Sequence, residues 1–195
     1  MPALHASVDP LPTLRNGIDG MRLAIMPEAE RTHATAPVLA AYDQSLRVLQ
    51  SLGAVLVNIE LPCSFGDFRN AVSAVASAEG YATTCELIDQ EHLPLDQHVR
   101  RRMLAGRDVS AKDYLHSMRE MNAWRSTFRE LMKEFDALLT PTGFTTAIPA
   151  SEADEMVIPA YYTRATNILE LCAPALPNGY GPDGLLTSLC IHGHP

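Results

Sequence analysis

Lysine is almost missing from this sequence: of its 15 lysines and arginines only Lys112 and Lys133 are lysines. Chemistry that needs a lysine base has just those two to draw on, and both fall on the polar faces of helical segments. Cysteine is sparse too. Cys63, Cys85, Cys172 and Cys190 sit in apolar surroundings without C-x-x-C spacing, which speaks against a disulfide framework or a zinc knuckle and leaves reduced thiols. Positive charge is short, with a net charge of -8, so a nucleic-acid partner, which requires a basic face, is not expected. The one dense basic cluster, Arg100, Arg101, Arg102 and Arg107, is too small to reverse that. No apolar run approaches the roughly 20 residues that span a bilayer, and Met1 to Gly20 lacks a charged stretch followed by an apolar one. The expectation is an unexported, cytoplasmic protein without membrane contact. There is no Ser-Ser pair, no glycine- and serine-rich loop and no internal repeat.

What is present is core-forming material: 47% of the 195 residues are hydrophobic and 19% charged, enough for a globular α/β unit of one or two layers. Residues 1–20, rich in proline, glycine and polar side chains, read as a linker or loop. Met21 to Met26 reads as a strand ended by Pro27. A helix is predicted from Pro37 to Leu52, with Val38, Tyr42, Leu46, Leu49 and Leu52 as its stripe and Gly53 as its stop. Val55 to Ile59 is a second strand, and strand-helix-strand with short joins predicts a parallel, right-handed crossover. Helices follow over Asp67–Ile88, with Glu79 on the apolar side, and over Leu93–Ala105. Ser110 opens a Ser-Ala-Lys-Asp capping pattern leading a long helix to about Phe135, carried by Tyr114, Met118, Met121, Trp124, Phe128, Leu131 and Phe135. Asp136 to Pro141 is a short strand, and Gly143 to Pro159 a surface loop.

The chain is organised around Thr163 to Gly193. Thr163 to Cys172 has helical spacing, Ala173 to Pro177 is an apolar run that cannot continue it, and Asn178, Gly179, Gly181, Pro182, Asp183 and Gly184 form a turn. Leu185 to Ile191 then reads as a buried strand. Cys190, His192 and His194 alternate, which offers three zinc ligands if the strand continues, though no fourth is marked. Nothing singles out a partner for His33, His92, His98 or His116.

Asn167, the LCAPA run of 171–175, Pro177, Gly179 and the Asp183-Gly184-Leu185 turn into Ser188-Leu189 resemble the C-terminal signature of the amidase signature family, and FDALLTPT at 135–142 resembles a strand of the same family. The match departs at Leu186, where proline is common, at Cys190, where glutamine is common, and at Glu170. The family comprises serine amidohydrolases and amidotransferase A subunits. The resemblance implies the C-terminal part of the amidase-signature fold, a mixed β-sheet flanked by helices. Residues 21–195 would then be a partial amidase domain, cut at both ends, and residues 1–20 a linker from an upstream half.

The resemblance further implies hydrolysis of a C-N amide bond of a small molecule by a Ser-cisSer-Lys mechanism, without metal or organic cofactor. An unassisted hydroxyl is a poor nucleophile and its oxyanion needs preorganised donors. The family's residues for both tasks lie upstream of the region matched, so no catalytic residue is assigned, and this chain alone is expected to be inactive. Ser110 is better placed to cap a helix than to attack. Asn167 is carried over as a substrate contact, with a helix-terminus hydrogen bond as the plainer role. The VRRRMLAG run at 99–106 resembles one that holds a substrate carboxylate, pointing to Arg101 or Arg102; a solvated helix face is the plainer role there. For Glu79 the plainer role is a structural bond. The implied partners are the amide substrate and the N-terminal half of the same enzyme. An A-subunit role would add B and C subunits and tRNA. A further alternative is a non-catalytic fragment that binds a partner, and its open strand edge would favour a homo-oligomer.

Overall fold

The computed structural model describes Asp9, residues 11–153 and residues 160–194. Residues 11–20 form exposed turns, after which the chain enters β1 (Arg22–Ile25), a short α1 (Glu28–Arg31), α2 (Ala36–Ser51) and β2 (Val55–Asn58). Then come α3 (Phe65–Ile88), α4 (Gln97–Leu104) with a 3-10 turn at Ala105–Asp108, and α5 (Ala111–Met132). The chain closes with β3 (Ala137–Pro141), α6 (Arg164–Leu169), β4 (Ala175–Tyr180) and β5 (Leu186–His192). The five strands make one mixed sheet in the order β2-β1-β3-β5-β4, parallel across β2, β1 and β3 and antiparallel across β3, β5 and β4.

The parallel β1-α2-β2 unit is as the sequence predicts, with Gly53 at φ 95 turning the chain after α2. Each face of the sheet has its own helical cover. On one side Thr187 donates to Asn178, which donates to Ser45 of α2. On the other His192 meets Thr166 of α6. Residues paired across an antiparallel ladder share a face; Thr140 pairs with Cys190 and Leu138 with His192, so all four look toward α6. The core between sheet and helices α3, α5 and α6 is aromatic, Phe65, Phe68 and Phe128 being fully buried and Trp124 set edge-on to Phe68.

Several readings are corrected. The helix expected from Leu93 starts at Gln97, because Pro94 interrupts the approach and Asp96 caps the first turn, accepting from the backbone N–H groups of His98 and Val99. It then tightens into the 3-10 turn instead of stopping at Gly106, whose missing Cβ lets the turn press against the backbone of Ser77 on α3. The long helix ends at Met132, three residues early. Asn178 and Gly179 belong to strand β4, not to a turn, and Leu185 and Leu186 are exposed, so the last strand is buried only from Thr187. Conversely, α3 begins earlier than expected, at Phe65, on a reciprocal capping box between Ser64 and Asp67.

Candidate functional site

A cavity of about 800 Å³ opens where the chain leaves β3, at the carboxyl end of the parallel strands, where open α/β sheets characteristically hold ligands. Residues 142–148 form one wall, with Thr35 at the start of α2, Ser188 of β5, and Ala160 and Thr163 ahead of α6 completing it. Backbone bonds fix this arrangement: Thr142 N–H donates to Ser188 O at 3.0 Å, and Thr35 N–H to Phe144 O at 2.8 Å. The stretch read as a surface loop is therefore in part a cavity wall; its residues 154–159 lie outside the described residues. The described lining is hydroxyl and apolar, with Glu152 as its only charged side chain. Thr142 Oγ1 is buried and has no hydrogen-bond partner among the described residues.

Behind the cavity the polar groups are paired. Thr140 Oγ1 donates to Pro141 O at 2.8 Å, which uses its one proton, so at 2.9 Å it must accept from Nε2–H of His192. Nδ1 of His192 is then the acceptor of the Thr166 hydroxyl, also at 2.9 Å. The tautomer is thus fixed by its neighbours, and burial pushes the imidazole pKa down to about 4. The same burial pushes the Cys190 thiol up to about 11, which makes it a packing residue and not a thiolate nucleophile at neutral pH. A second cluster anchors the segment entering α6. Buried Glu30 accepts from Tyr161 OH at 2.9 Å and from Phe65 N–H at 3.3 Å, while its backbone O accepts from Tyr162 OH at 3.0 Å. A carboxylate at the first turn of the 24-residue α3 also complements the helix dipole. Sequence reading missed Glu30 and His192 as supports, since their partners lie 26 to 132 residues away, and it missed Thr142, whose hydroxyl has no partner among the described residues.

The residues named from the sequence lie elsewhere. Asn167 is exposed on α6 and its side chain makes no hydrogen bond among the described residues. Arg101 is exposed on α4, and Arg102 half-buried, its Nε buried and unpaired among the described residues. Their neighbour Arg100 is the buried one, pinned to the carbonyls of Ile88, Gln90 and Leu93. None of the three named residues lines the cavity. Glu79 is exposed and accepts from Tyr114 OH at 2.8 Å, a structural bond between α3 and α5. Ser110 caps α5, accepting from Asp113 N–H. Both lysines are exposed, Lys133 paired with Glu130. His194 donates to Phe135 O, and among the described residues no three His, Cys, Asp or Glu side chains converge as metal ligands. Among the same residues no helix is long and apolar enough to cross a membrane.

A family model described as Amidase matches residues 6–185. An amidase of Pseudomonas putida is 29% identical over 219 residues, covering 100% of this chain and 44% of the relative. The A subunit of a glutamyl-tRNA(Gln) amidotransferase from Corynebacterium jeikeium (strain K411) is 26% identical over 208 residues, covering 90% and 41%. Among solved structures, a bacterial aryl acylamidase of the amidase signature enzymes superposes with a TM-score of 0.78 at 17% identity, over 97% of this chain and 43% of that one. A chain from a vestigial protein complex bearing on the origins of an s-triazine catabolic enzyme superposes with a TM-score of 0.83 at 20% identity, over 100% and 44%. The chain thus spans less than half the length of the relatives it matches. At these identities the structures speak for the fold alone, a mixed α/β sheet shared across its full described length. With the family model covering nearly the whole sequence, the chain belongs to the amidase family and carries part of the amidase-signature fold.

Proposed function

We propose that this chain is the C-terminal, pocket-forming portion of an enzyme that hydrolyses a C-N amide bond of a small molecule, with the Ser-cisSer-Lys chemistry supplied by residues outside it. The observation that carries the reading is a mismatch between cavity and catalyst. The cavity is of ligand size and lined by Thr142, Thr163 and Ser188, yet its described lining holds no lysine, histidine or second serine to activate a hydroxyl. Ser188 alone would remain a weak nucleophile. The carry-over of Asn167, Arg101 and Arg102 as substrate contacts stays part of the proposal; none lines the cavity, so each would meet only a group that extends past it. The open strands fit the same reading. Leu176 and Tyr180 on edge strand β4, and Leu186 opposite, are 50%, 72% and 59% exposed, a surface that another part of the enzyme would cover and that would otherwise drive self-association.

The test is amide hydrolysis by the 195-residue chain, alone and mixed with an upstream half from a family member that supplies the serines and lysine. Activity in the mixture alone is the expected result. Turnover by the isolated chain would overturn the placement of the chemistry, and an inactive mixture in which the two halves demonstrably associate would overturn the hydrolase reading. A second reading, the A subunit of a tRNA-dependent amidotransferase, is favoured by the several relatives of that name. Co-purification with B and C subunits would select it.

A further inference from the structure

Of the six asparagines, two stand before a glycine, Asn16 before Gly17 and Asn178 before Gly179, and the fold treats them differently. An asparagine loses ammonia without any enzyme when the backbone nitrogen of the next residue attacks its Cγ. Glycine there permits the attack best, because no Cβ crowds the nitrogen and the backbone is freest to turn. Asn16 is exposed in the turns ahead of β1, and neither its side chain nor the Gly17 N–H makes a hydrogen bond among the described residues. Gly17 has φ 71, and the space that a Cβ would take there is empty to 4 Å. A second turn, closed by Met21 N–H on Ile18 O, separates this site from β1. Asn178 is held instead. It lies within β4, where its Oδ1 accepts from the Thr187 hydroxyl at 2.8 Å and its Nδ2 donates to Ser45 Oγ of α2 at 2.9 Å. Extended backbone with ψ of about +135° turns the next nitrogen away from the side-chain carbon, so ring closure would need the strand to twist and both bonds to break.

We propose that Asn16 is a self-modifying site and that the bonds from Thr187 and to Ser45 hold Asn178 against the same reaction. The Gly17 nitrogen attacks the Asn16 Cγ and a C–N bond forms. The Cγ–Nδ2 bond breaks, and ammonia leaves with the proton that the Gly17 nitrogen gives up. The cyclic imide then takes up water at either carbonyl and opens to aspartate or its β-linked isomer, adding one negative charge to a chain that stands at -8. In the exposed turn that charge is solvated. At position 178 it would not be neutral to the fold, because a carboxylate has no Nδ2 donor. It would bond Ser45 only by drawing that hydroxyl off Ala41 O, to which it now donates at 2.9 Å, and the junction of α2 with β4 and β5 would lose a bond.

The chain is held for days in mildly alkaline buffer, with and without urea, and read by anion-exchange chromatography and by peptide mapping with tandem mass spectrometry. Cleavage after arginine isolates residues 16–22, in which Asn16 is the only side-chain amide. The folded chain should gain an acidic form converted at Asn16, at a rate at least about tenfold above that at Asn178, the effect of two hydrogen bonds. In urea the two sites should convert at similar rates. Asn16→Gln, whose longer side chain closes a ring far more slowly, should abolish the acidic form. Ser45→Ala combined with Thr187→Val, with folding checked by its urea transition, should speed conversion at Asn178 by about five- to tenfold and leave Asn16 unchanged. Equal rates at the two sites in the folded chain would overturn the proposal, as would an Asn16 that converts in urea but stays intact when folded. A folded double variant with no faster conversion at Asn178 would overturn the protective role of the two bonds.

Discussion

Thr140 and Thr142 lie two residues apart, on and just past β3, and have opposite fates. Thr140 is fully buried, donates to Pro141 and accepts from His192, so its hydroxyl is satisfied inside the fold. Thr142 borders the cavity with a buried hydroxyl that no described group meets. A buried polar atom without a partner costs free energy that evolution seldom leaves uncompensated. The difference marks a boundary between the two side chains: the Thr140 hydroxyl helps to tie the sheet to α6 through His192, whereas the Thr142 hydroxyl, at a residue lining the cavity, has no such role among the described residues, although the Thr142 N–H still bonds Ser188 O.

The largest effect should come from acid acting on the satisfied side. His192 is neutral in the folded protein, its pKa lowered from the ordinary 6.5 to about 4 by burial. Between those values the unfolded chain binds a proton that the folded one refuses, so stability rises with pH across the window and is lost as pH falls from 6.5 toward 4. The drop is on the order of 3 kcal/mol, since the imidazole is buried with both nitrogens already engaged. Urea unfolding at pH 7 and pH 4.5, for the parent chain and His192→Gln, isolates it: the variant should lose this component of the acid sensitivity. An equal acid response in both would show that His192 does not stay neutral.

Thr140→Val comes next. The exchange keeps the shape and removes the hydroxyl, so either Nε2–H of His192 lacks an acceptor or the ring changes tautomer and leaves Nε2 bare. Either way one buried nitrogen is unpaired, at a cost of about 2 kcal/mol. Imidazole nitrogen shifts would report which happens, and a stability within about 0.5 kcal/mol of the parent would show that the relay is not required.

How much of this was legible in the sequence follows the range of the interactions. The stripe from Tyr114 to Phe128 specifies α5 because its pattern repeats every turn, and β1-α2-β2 is set by local periodicity and one glycine. Strand β4 was not legible, since Pro177 and Gly179 argue for a turn. It exists because β5 pairs with it, and it tolerates those residues as an edge strand with a register shift between them. The site was less legible still. Thr35, Thr142, Thr163 and Ser188 share no local signal, and only the sheet order brings them to one rim. The signature residues near 167–185 do identify the family, but signature and cavity overlap little. Asn167 marks descent and lies on an exposed helix face, while Thr142 closes the FDALLTPT run without any feature that tells it from Thr140.

The smallest expected effect on stability is the most discriminating. Thr142→Val removes a buried hydroxyl that has no hydrogen-bond partner among the described residues. Replacing an unsatisfied buried polar atom by a carbon of like shape is neutral or slightly stabilising, so the unfolding free energy should stay within about 0.5 kcal/mol of the parent or rise. Its contrast with Thr140→Val turns the boundary into a measurement. Two identical exchanges, two residues apart, should differ by about 2 kcal/mol in folding. A Thr142→Val chain as destabilised as Thr140→Val would mean that the outer hydroxyl is paired within the fold, and the boundary between scaffold and cavity would then have to be drawn beyond it.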